Sequence, residues 1–490
     1  MNKITIDPIT RLEGHGKIEI FLTPDGDVAN AYLQVPELRG FEKFCQGRPV
    51  EEMPRITTRI CGVCPGAHHI ASTKATDAVY QVKPTPTANK IRDLFYCAHM
   101  IHSHAAHFYV LAAPDFILGP TSDPKERNIL GLIAKLGTEI GLEVIKHRAF
   151  AQEIQAVIGG KATHPVFGLP GGVSKAIIEN ERQDFEKKAK SLVDFGILSL
   201  KLFHKLILSN KEYMDLIISD AYYMKSYYMG MVDKQNKVNF YEGDIRVVDQ
   251  DGKENARFKA DDYLEYIAEH TEPWSYLKFP FLKKIGWKGL VEGNDSGIFR
   301  VAPLARLNVA DGMATPLAQE EYEMMFDTFG TKPVHATMAM HWARLIEMLY
   351  AAEHLLELCQ DKDITDPDIR NIPSSTPHEG IGAIEAPRGT LIHHYQTDEN
   401  GMIQKVNLVV ATVMNNSAMN ISIKKAAQSL INKHHRATEG LLNMVEMAYR
   451  AYDPCIACAT HALPGQMPLE IVIYDHNRIV IDNISQCLSN

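Results

Sequence analysis

A chain of 490 residues with 45% hydrophobic and 23% charged residues can bury a large interior, and its composition excludes disordered and fibrous classes. A formal net charge of −9 without any long Lys/Arg run argues against nucleic acid as a partner. Residues 1–8 contain no apolar signal core, and the apolar stretches at 408–414 and 196–209 are too short or too charged to span a bilayer. A cytoplasmic protein with no direct membrane span is expected.

The first 50 residues read as short strands, Lys17 to Leu22 and Val28 to Val35, around the turn Pro24-Asp25-Gly26-Asp27. Apolar residues then recur at three- and four-residue steps over Lys90 to Ala113, Ile129 to Gly159 and Lys175 to Met231, which predicts long helices. Residues 232–330 are mixed, with Asp251-Gly252 and Gly293-Asn294-Asp295 as turn signals. Helical periodicity returns over Val334 to Gln360 and Ile421 to Tyr449, with strands between Gly382 and Val413 around Asp398-Glu399-Asn400-Gly401. Leu469 to Ile484 alternates as two strands around Asp475-His476-Asn477. The expected fold class is α+β, with long helices forming a central bundle and small peripheral β-sheets. The expected divisions are an N-terminal β element (1–60), a helical core with the first cysteine pair (61–231), a mixed insertion (232–330), a helical core with strands and the second pair (331–461), and a C-terminal extension (462–490). Neither a Rossmann nor a Walker glycine loop is present.

Eight cysteines are sparse for this length, and four of them form two C-x-x-C pairs, Cys61/Cys64 and Cys455/Cys458, about 390 positions apart. This pattern favours metal or redox chemistry in a reducing compartment over a disulfide framework. Three-residue spacing lets both sulfurs of a pair face one ion, and two pairs complete a four-thiolate site selective for zinc, iron-sulfur, copper or nickel. Zinc ribbons close a loop of roughly 15 to 20 residues between pairs, whereas this site would clasp the two ends of the chain. Structural zinc, a redox metal and two independent pairs all remain open on spacing alone.

The surrounding residues are more specific. Arg59-Ile60-Cys61-Gly62-Val63-Cys64-Pro65-Gly66-Ala67-His68 and Asp453-Pro454-Cys455-Ile456-Ala457-Cys458-Ala459-Thr460-His461 resemble the two signature motifs of nickel-iron hydrogenase large subunits. The resemblance continues through residues 7–15 (Asp-Pro-Ile-Thr-Arg-Leu-Glu-Gly-His), Arg39-Gly40-Phe41-Glu42, Gly159-Gly160 to His164-Pro165 with Pro170-Gly171-Gly172, and Glu385-Ala386-Pro387-Arg388-Gly389. Six ordered motifs cover nearly the full chain, and their wording is most similar to the cytosolic multisubunit type.

The resemblance implies nickel held by Cys61, Cys64, Cys455 and Cys458, with Cys64 and Cys458 bridging to an iron that carries carbon monoxide and cyanide. It implies heterolytic, reversible cleavage of dihydrogen, with Glu13 taking the proton from Cys455 and Arg388 either positioning or serving as a base over the open side of the metals. A buried Glu13 carboxyl would have a raised pKa suited to relay. Glu42 and His461, with the Leu408 carbonyl, are implied as ligands of a magnesium or iron ion. His68 and Asp453 would hydrogen-bond a bridging sulfur or Arg388, Pro387 would flank Arg388, and Thr412 would donate to a cyanide. His102-Ser103-His104 departs from the family, where many relatives carry an aspartate between two histidines, and this puts the usual carboxylate network near Arg388 in question. His99, His102, His104 and His107 read as packing or proton-conducting residues, and Cys45, Cys97, Cys359 and Cys487 as ordinary thiols.

No further cysteine clusters exist for an electron relay, so an iron-sulfur small subunit is implied, together with flavin or nicotinamide electron-transfer subunits. A maturation protease and nickel-insertion proteins are implied as well. The protease would remove residues 462–490, because an attached tail would hold Cys458 and His461 outward. The competing readings are a non-catalytic quinone-pocket subunit relative of the respiratory complex, which lacks the four cysteines, and a structural four-cysteine zinc protein.

Overall fold

The computed structural model describes residues 3–435, 437–461, 469–474 and 480–486. The chain opens with a three-stranded antiparallel meander of β1 (Lys3–Ile6), β2 (Lys17–Leu22) and β3 (Val28–Gln34). The expected turn joins β2 to β3, where the Asp27 amide donates to the Thr23 hydroxyl.

Five long helices build the interior: α1 (Pro65–Val79), α2 (Pro86–Ala106), α3 (Thr138–Gly159), α4 (Glu179–Phe203) and α5 (Met340–Gln360). Helix α5 packs against both α2 and α4, and α3 packs against α2. Nearly every residue of α5 from Met340 to Leu355 is buried, apolar and charged alike, as expected of a helix enclosed by others. Helix α2 starts where Thr85 accepts the Ala88 amide and Pro86 occupies the first turn.

Further sheets follow along the chain. β4 (Tyr227–Val232), β5 (Asp244–Val248), β6 (Glu254–Phe258) and β7 (Phe299–Arg300) form a four-stranded sheet in the order β7-β4-β5-β6. β8 (Glu379–Ala386), β9 (Gly389–Thr397) and β10 (Ile403–Val409) form an antiparallel meander that lies on α1. The backbone of β11 (Leu469–Tyr474) and β12 (Val480–Gln486) makes an antiparallel pair. The expected turn at 475–477 and Cys487 lie outside the described residues.

Several predicted helices are broken. Gly137, at φ 94°, separates a short helix Ile129–Leu136 from α3. Residues expected to remain helical through Met231 instead enter strand β4, a fully buried run of Tyr, Met and Val with high strand preference. The helix expected over 421–449 is two, α6 (Asn416–Leu430) and α7 (Glu439–Arg450). Asn432 divides them by accepting the amides of His434 and His435, and Thr438 caps the second.

Candidate metal centre

Cys61 precedes α1, and Cys64 caps it, so the early pair sits at the positive end of a helix where thiolates are favoured. The amides of Val63 and Cys64 donate to Cys61 Sγ at 3.2 and 3.3 Å. Cys455 leads into the short helix Ile456–Ala459, and its amide donates to Thr412 Oγ1 at 3.1 Å.

Hydrogen bonds from the other end of the chain seat this late segment. The Arg39 and Gly40 amides donate to the Thr460 carbonyl at 2.9 and 3.2 Å, and the Glu42 amide to the His461 carbonyl at 3.3 Å. Ile456 N donates to the Glu13 carbonyl at 3.1 Å. Gly14, at φ +83°, lies so close that a Cβ there would come within 2.7 Å of Ile456 Cβ. Arg450 reinforces the seam by donating to Asp115 and Glu446, while Thr10 Oγ1 donates to Glu446 and Arg11 pairs with Asp115.

All four sulfurs lie within 4.8 Å of one another and are buried. Cys61 is 3.1 Å from Cys455, Cys64 is 3.2 Å from Cys458, and Cys455 is 2.8 Å from Cys458. Hydrogen bonding from Cys455 pulls Cys61 well below the ordinary thiol range, whereas burial pushes Cys455 and Cys458 well above it. Four thiols this close cannot all ionise without a cation among them. The late pair is buried in the interior. The hydrogen bonds that seat Thr460 and His461 lie upstream of the tail.

Arg388 follows β8 in the turn to β9. Gly389 takes φ +129° there, and a Cβ would meet Val301 at 2.2 Å. Arg388 donates from Nε to the Asp453 carbonyl at 2.6 Å and from Nη2 to Asp453 Oδ1 at 3.0 Å, leaving Nη1 buried without a partner. Burial opposes its charge, but Asp453 and the thiols prevail and hold the guanidinium protonated. A small cavity of about 10 Å³ lies between Arg388 and the sulfurs of Cys64 and Cys458, walled by Leu391, Val410 and Thr412. Glu13 is half-buried and accepts the Ala457 amide at 3.0 Å. Burial and then the Cys61 charge raise its pKa.

Glu42 accepts the Leu408 amide at 2.9 Å and lies 3.7 Å from His461 Nε2. That nitrogen is buried without a partner, while Nδ1 meets the Cys458 carbonyl at 2.9 Å. Burial lowers His461 to about 4, so the ring is neutral and ligand-competent. Lys278, not named from sequence, lies 4.0 Å from Glu42.

His68 Nε2 meets Cys458 Sγ at 3.3 Å, and a chain of contacts unseen in the sequence runs behind it. His68 Nδ1 is 3.1 Å from His393 Nε2, His393 Nδ1 is 2.6 Å from the Tyr395 hydroxyl, and that hydroxyl is 2.8 Å from Ser72 Oγ. Burial lowers His68 to about 4 and His393 further, so both rings are neutral. With Cys458 as a metal-bound thiolate, His68 would donate to it, His393 to His68 and the Tyr395 hydroxyl to His393.

The carboxylates around the Arg388 turn come from Glu347 and Glu385. Arg306 donates to both, and also to the carbonyls of Ala386 and Pro387, which ties Pro387 into the turn. His104 Nε2 meets Glu347 at 3.0 Å. The four histidines of α2 and its extension do not converge: His99 faces Gln155, His102 faces Arg148, and His107 donates to the Arg450 carbonyl.

The family model described as nickel-dependent hydrogenase matches residues 39–122 and 220–461, and one described as HoxL-like matches 3–38. An F420-non-reducing hydrogenase iron-sulfur subunit from Archaeoglobus profundus is 51% identical over 99% of both chains. The beta subunit of a NAD-reducing hydrogenase from Cupriavidus necator is 38% identical, covering 98% of this chain and 99% of that one. Among solved structures, an NAD+-reducing [NiFe]-hydrogenase in the H2-reduced state superposes with TM-score 0.88 at 37% identity, covering 94% of this chain and 100% of that one. The Ni-Fe-Se hydrogenase of Desulfomicrobium baculatum gives 0.73 at 25% identity, with coverage of 94% and 100%. No helix among the described residues is long and apolar enough to cross a membrane. Four sulfurs gathered from both ends of the chain, a family match on both sides of that clasp and end-to-end relatives lead to one conclusion: the chain belongs to the nickel-dependent hydrogenase large-subunit family.

Proposed function

We infer that this chain is the catalytic subunit of a nickel-iron hydrogenase, which cleaves dihydrogen reversibly and heterolytically and passes the electrons to an iron-sulfur partner subunit. The observation that carries this reading is the convergence of four buried sulfurs within 4.8 Å beneath a guanidinium with an unpartnered Nη1. These groups fit a binuclear nickel-iron centre, which Cys61, Cys64, Cys455 and Cys458 would hold. When bound, that centre supplies the soft Lewis acidity and redox capacity that polarise and split dihydrogen.

The protein's own groups have distinct tasks. Leu391 and Val410 beside Cys64 and Cys458 would give small diatomic ligands of iron an apolar wall. Thr412 has its oxygen engaged by the Cys455 amide, so its hydroxyl hydrogen is free to donate to a cyanide. Arg388, held protonated by Asp453, positions rather than accepts protons. Glu13, with its raised pKa and its place against residues 455–457, takes the proton from Cys455. Glu42, the Nε2 of His461 and the Leu408 carbonyl suit a hard dication such as magnesium, which would share Glu42 with Lys278. Further flavin or nicotinamide subunits, nickel-insertion proteins, a protease that trims after His461 and a cytoplasmic location complete the proposal.

The test is Cys64→Ser, purified anaerobically with its partner subunits. A hydroxyl is a harder and poorer donor than a thiolate, so nickel, dihydrogen uptake and the infrared bands of carbonyl and cyanide should disappear together. Wild-type protein holding one zinc and no nickel or iron, or a variant retaining full nickel and both bands, refutes the reading.

A further inference from the structure

Away from the four-thiol centre, α2 and α5 bring Asp93, Cys97 and His354 together, with one ligand atom of each within 4.8 Å of the others. Asp93 and Cys97 are four residues apart and share one face of α2. His354 Nε2 lies 2.8 Å from Asp93 Oδ2, and Cys97 Sγ lies 3.8 Å from Asp93 Oδ1. A tetrahedral zinc with bonds of about 2.0 Å to nitrogen or oxygen and 2.3 Å to sulfur separates its ligand atoms by about 3.3 to 3.5 Å. The two observed separations, to the two oxygens of Asp93, lie on either side of that span. Behind the imidazole, Nδ1 is 3.3 Å from Glu357 Oε2, the arrangement in which a carboxylate orients a metal-bound histidine. The Tyr350 ring stacks on His354 at 5.9 Å and 5°. The Asp93 and His354 side chains are 20% and 25% exposed, which gives an ion entry and a place for one water, while the Cys97 sulfur is the buried anchor.

We propose that Asp93, Cys97 and His354 form a second metal site for a zinc-like divalent cation, with water in the fourth position and Glu357 orienting His354, so that the ion ties α2 to α5. Softness favours zinc, because the mixed set of thiolate, imidazole and carboxylate is poor for magnesium or calcium. On binding, the ion displaces the thiol proton of Cys97 and the proton of the His354 imidazolium, and both leave to solvent. The competing state is that imidazolium, paired with Asp93 and Glu357 while Cys97 stands by.

The experiment uses the nickel-loaded complex, so that the four-thiol centre is filled, dialysed against zinc chloride and then against buffer. Elemental analysis should give one zinc per chain, and X-ray absorption at the zinc edge should show a single sulfur at about 2.3 Å with nitrogen or oxygen neighbours. Cys97→Ala should lose the sulfur shell and weaken zinc binding tenfold or more, and His354→Gln should also weaken it. Zinc bound at the Glu42 and His461 site would show no sulfur, and zinc in the main centre would show four. Wild-type protein without a one-sulfur zinc shell overturns the proposal, whatever the variants do. So does an unchanged shell in Cys97→Ala.

Discussion

Replacing Glu13 by glutamine separates proton relay from simple support of the late cysteine segment. The side chain accepts the Ala457 amide at 3.0 Å, and a glutamine oxygen occupies the same place. Exchanging a charged for a neutral acceptor should then cost about 1 kcal/mol of stability, too little to unseat residues 455–457, which are also held through the Glu13 carbonyl and Thr412. Proton transfer is another matter, because an amide cannot take and release a proton near neutral pH, and losing a positioned acid-base group costs on the order of 10²- to 10⁴-fold in rate. We expect full nickel and iron content, unchanged infrared bands, and a fall of at least 10²-fold both in dye-linked dihydrogen oxidation and in exchange between deuterium gas and water. Isotope exchange reports proton movement without electron transfer to the partner, so it isolates the step. Exchange within about twofold of wild type in fully metallated protein refutes the relay and reduces Glu13 to a cap on Ala457.

Tyr395→Phe removes the hydroxyl that meets His393 Nδ1 and Ser72; leaving that nitrogen buried and unpaired should cost about 1–3 kcal/mol. The released His68 should shift the infrared bands of the metallated centre, and melting curves with unshifted bands would show that the chain does not reach Cys458. Gly14→Ala forces a side chain into φ +83° with its Cβ 2.7 Å from Ile456 Cβ, so left-handed strain and overpacking together should destabilise by about 2–5 kcal/mol; a normal melting temperature and metal content would refute that close approach. Without metal, His354 has a folded pKa raised to about 10 against 6.5 unfolded: burial opposes its charge, but Asp93 and Glu357 outweigh it. The stabilisation is therefore full below pH 6.5 and fades as pH rises to about 10. Asp93→Asn should flatten the stability profile in chelator across that window, and an unchanged slope refutes the pairing.

Much of the helical content and the roles open to the four cysteines were legible in the sequence, because both are written locally. Periodicity at three and four residues marks a buried helix face, and a three-residue cysteine spacing marks a chelating pair. The first meander and the hairpin around Asp398 were readable for the same reason, since their turns are sequential. Helix ends were not all readable: the breaks at Gly137 and Asn432 depend on one backbone angle and one side-chain turn within otherwise apolar runs. Tertiary structure alone decided which residues face the cysteines. Glu13 reaches Ala457 across 444 positions and Arg388 reaches Asp453 across 65. Arg306, Glu347, His393, Tyr395 and Lys278 acquired their places at or behind the site without any motif to announce them. Asp93 and Cys97 likewise meet His354 only because α2 packs on α5. Local patterns record whether a residue is turned inward; which distant residue it meets there is set by how helices and strands pack, and buried polar groups without water must find their partners in that packing.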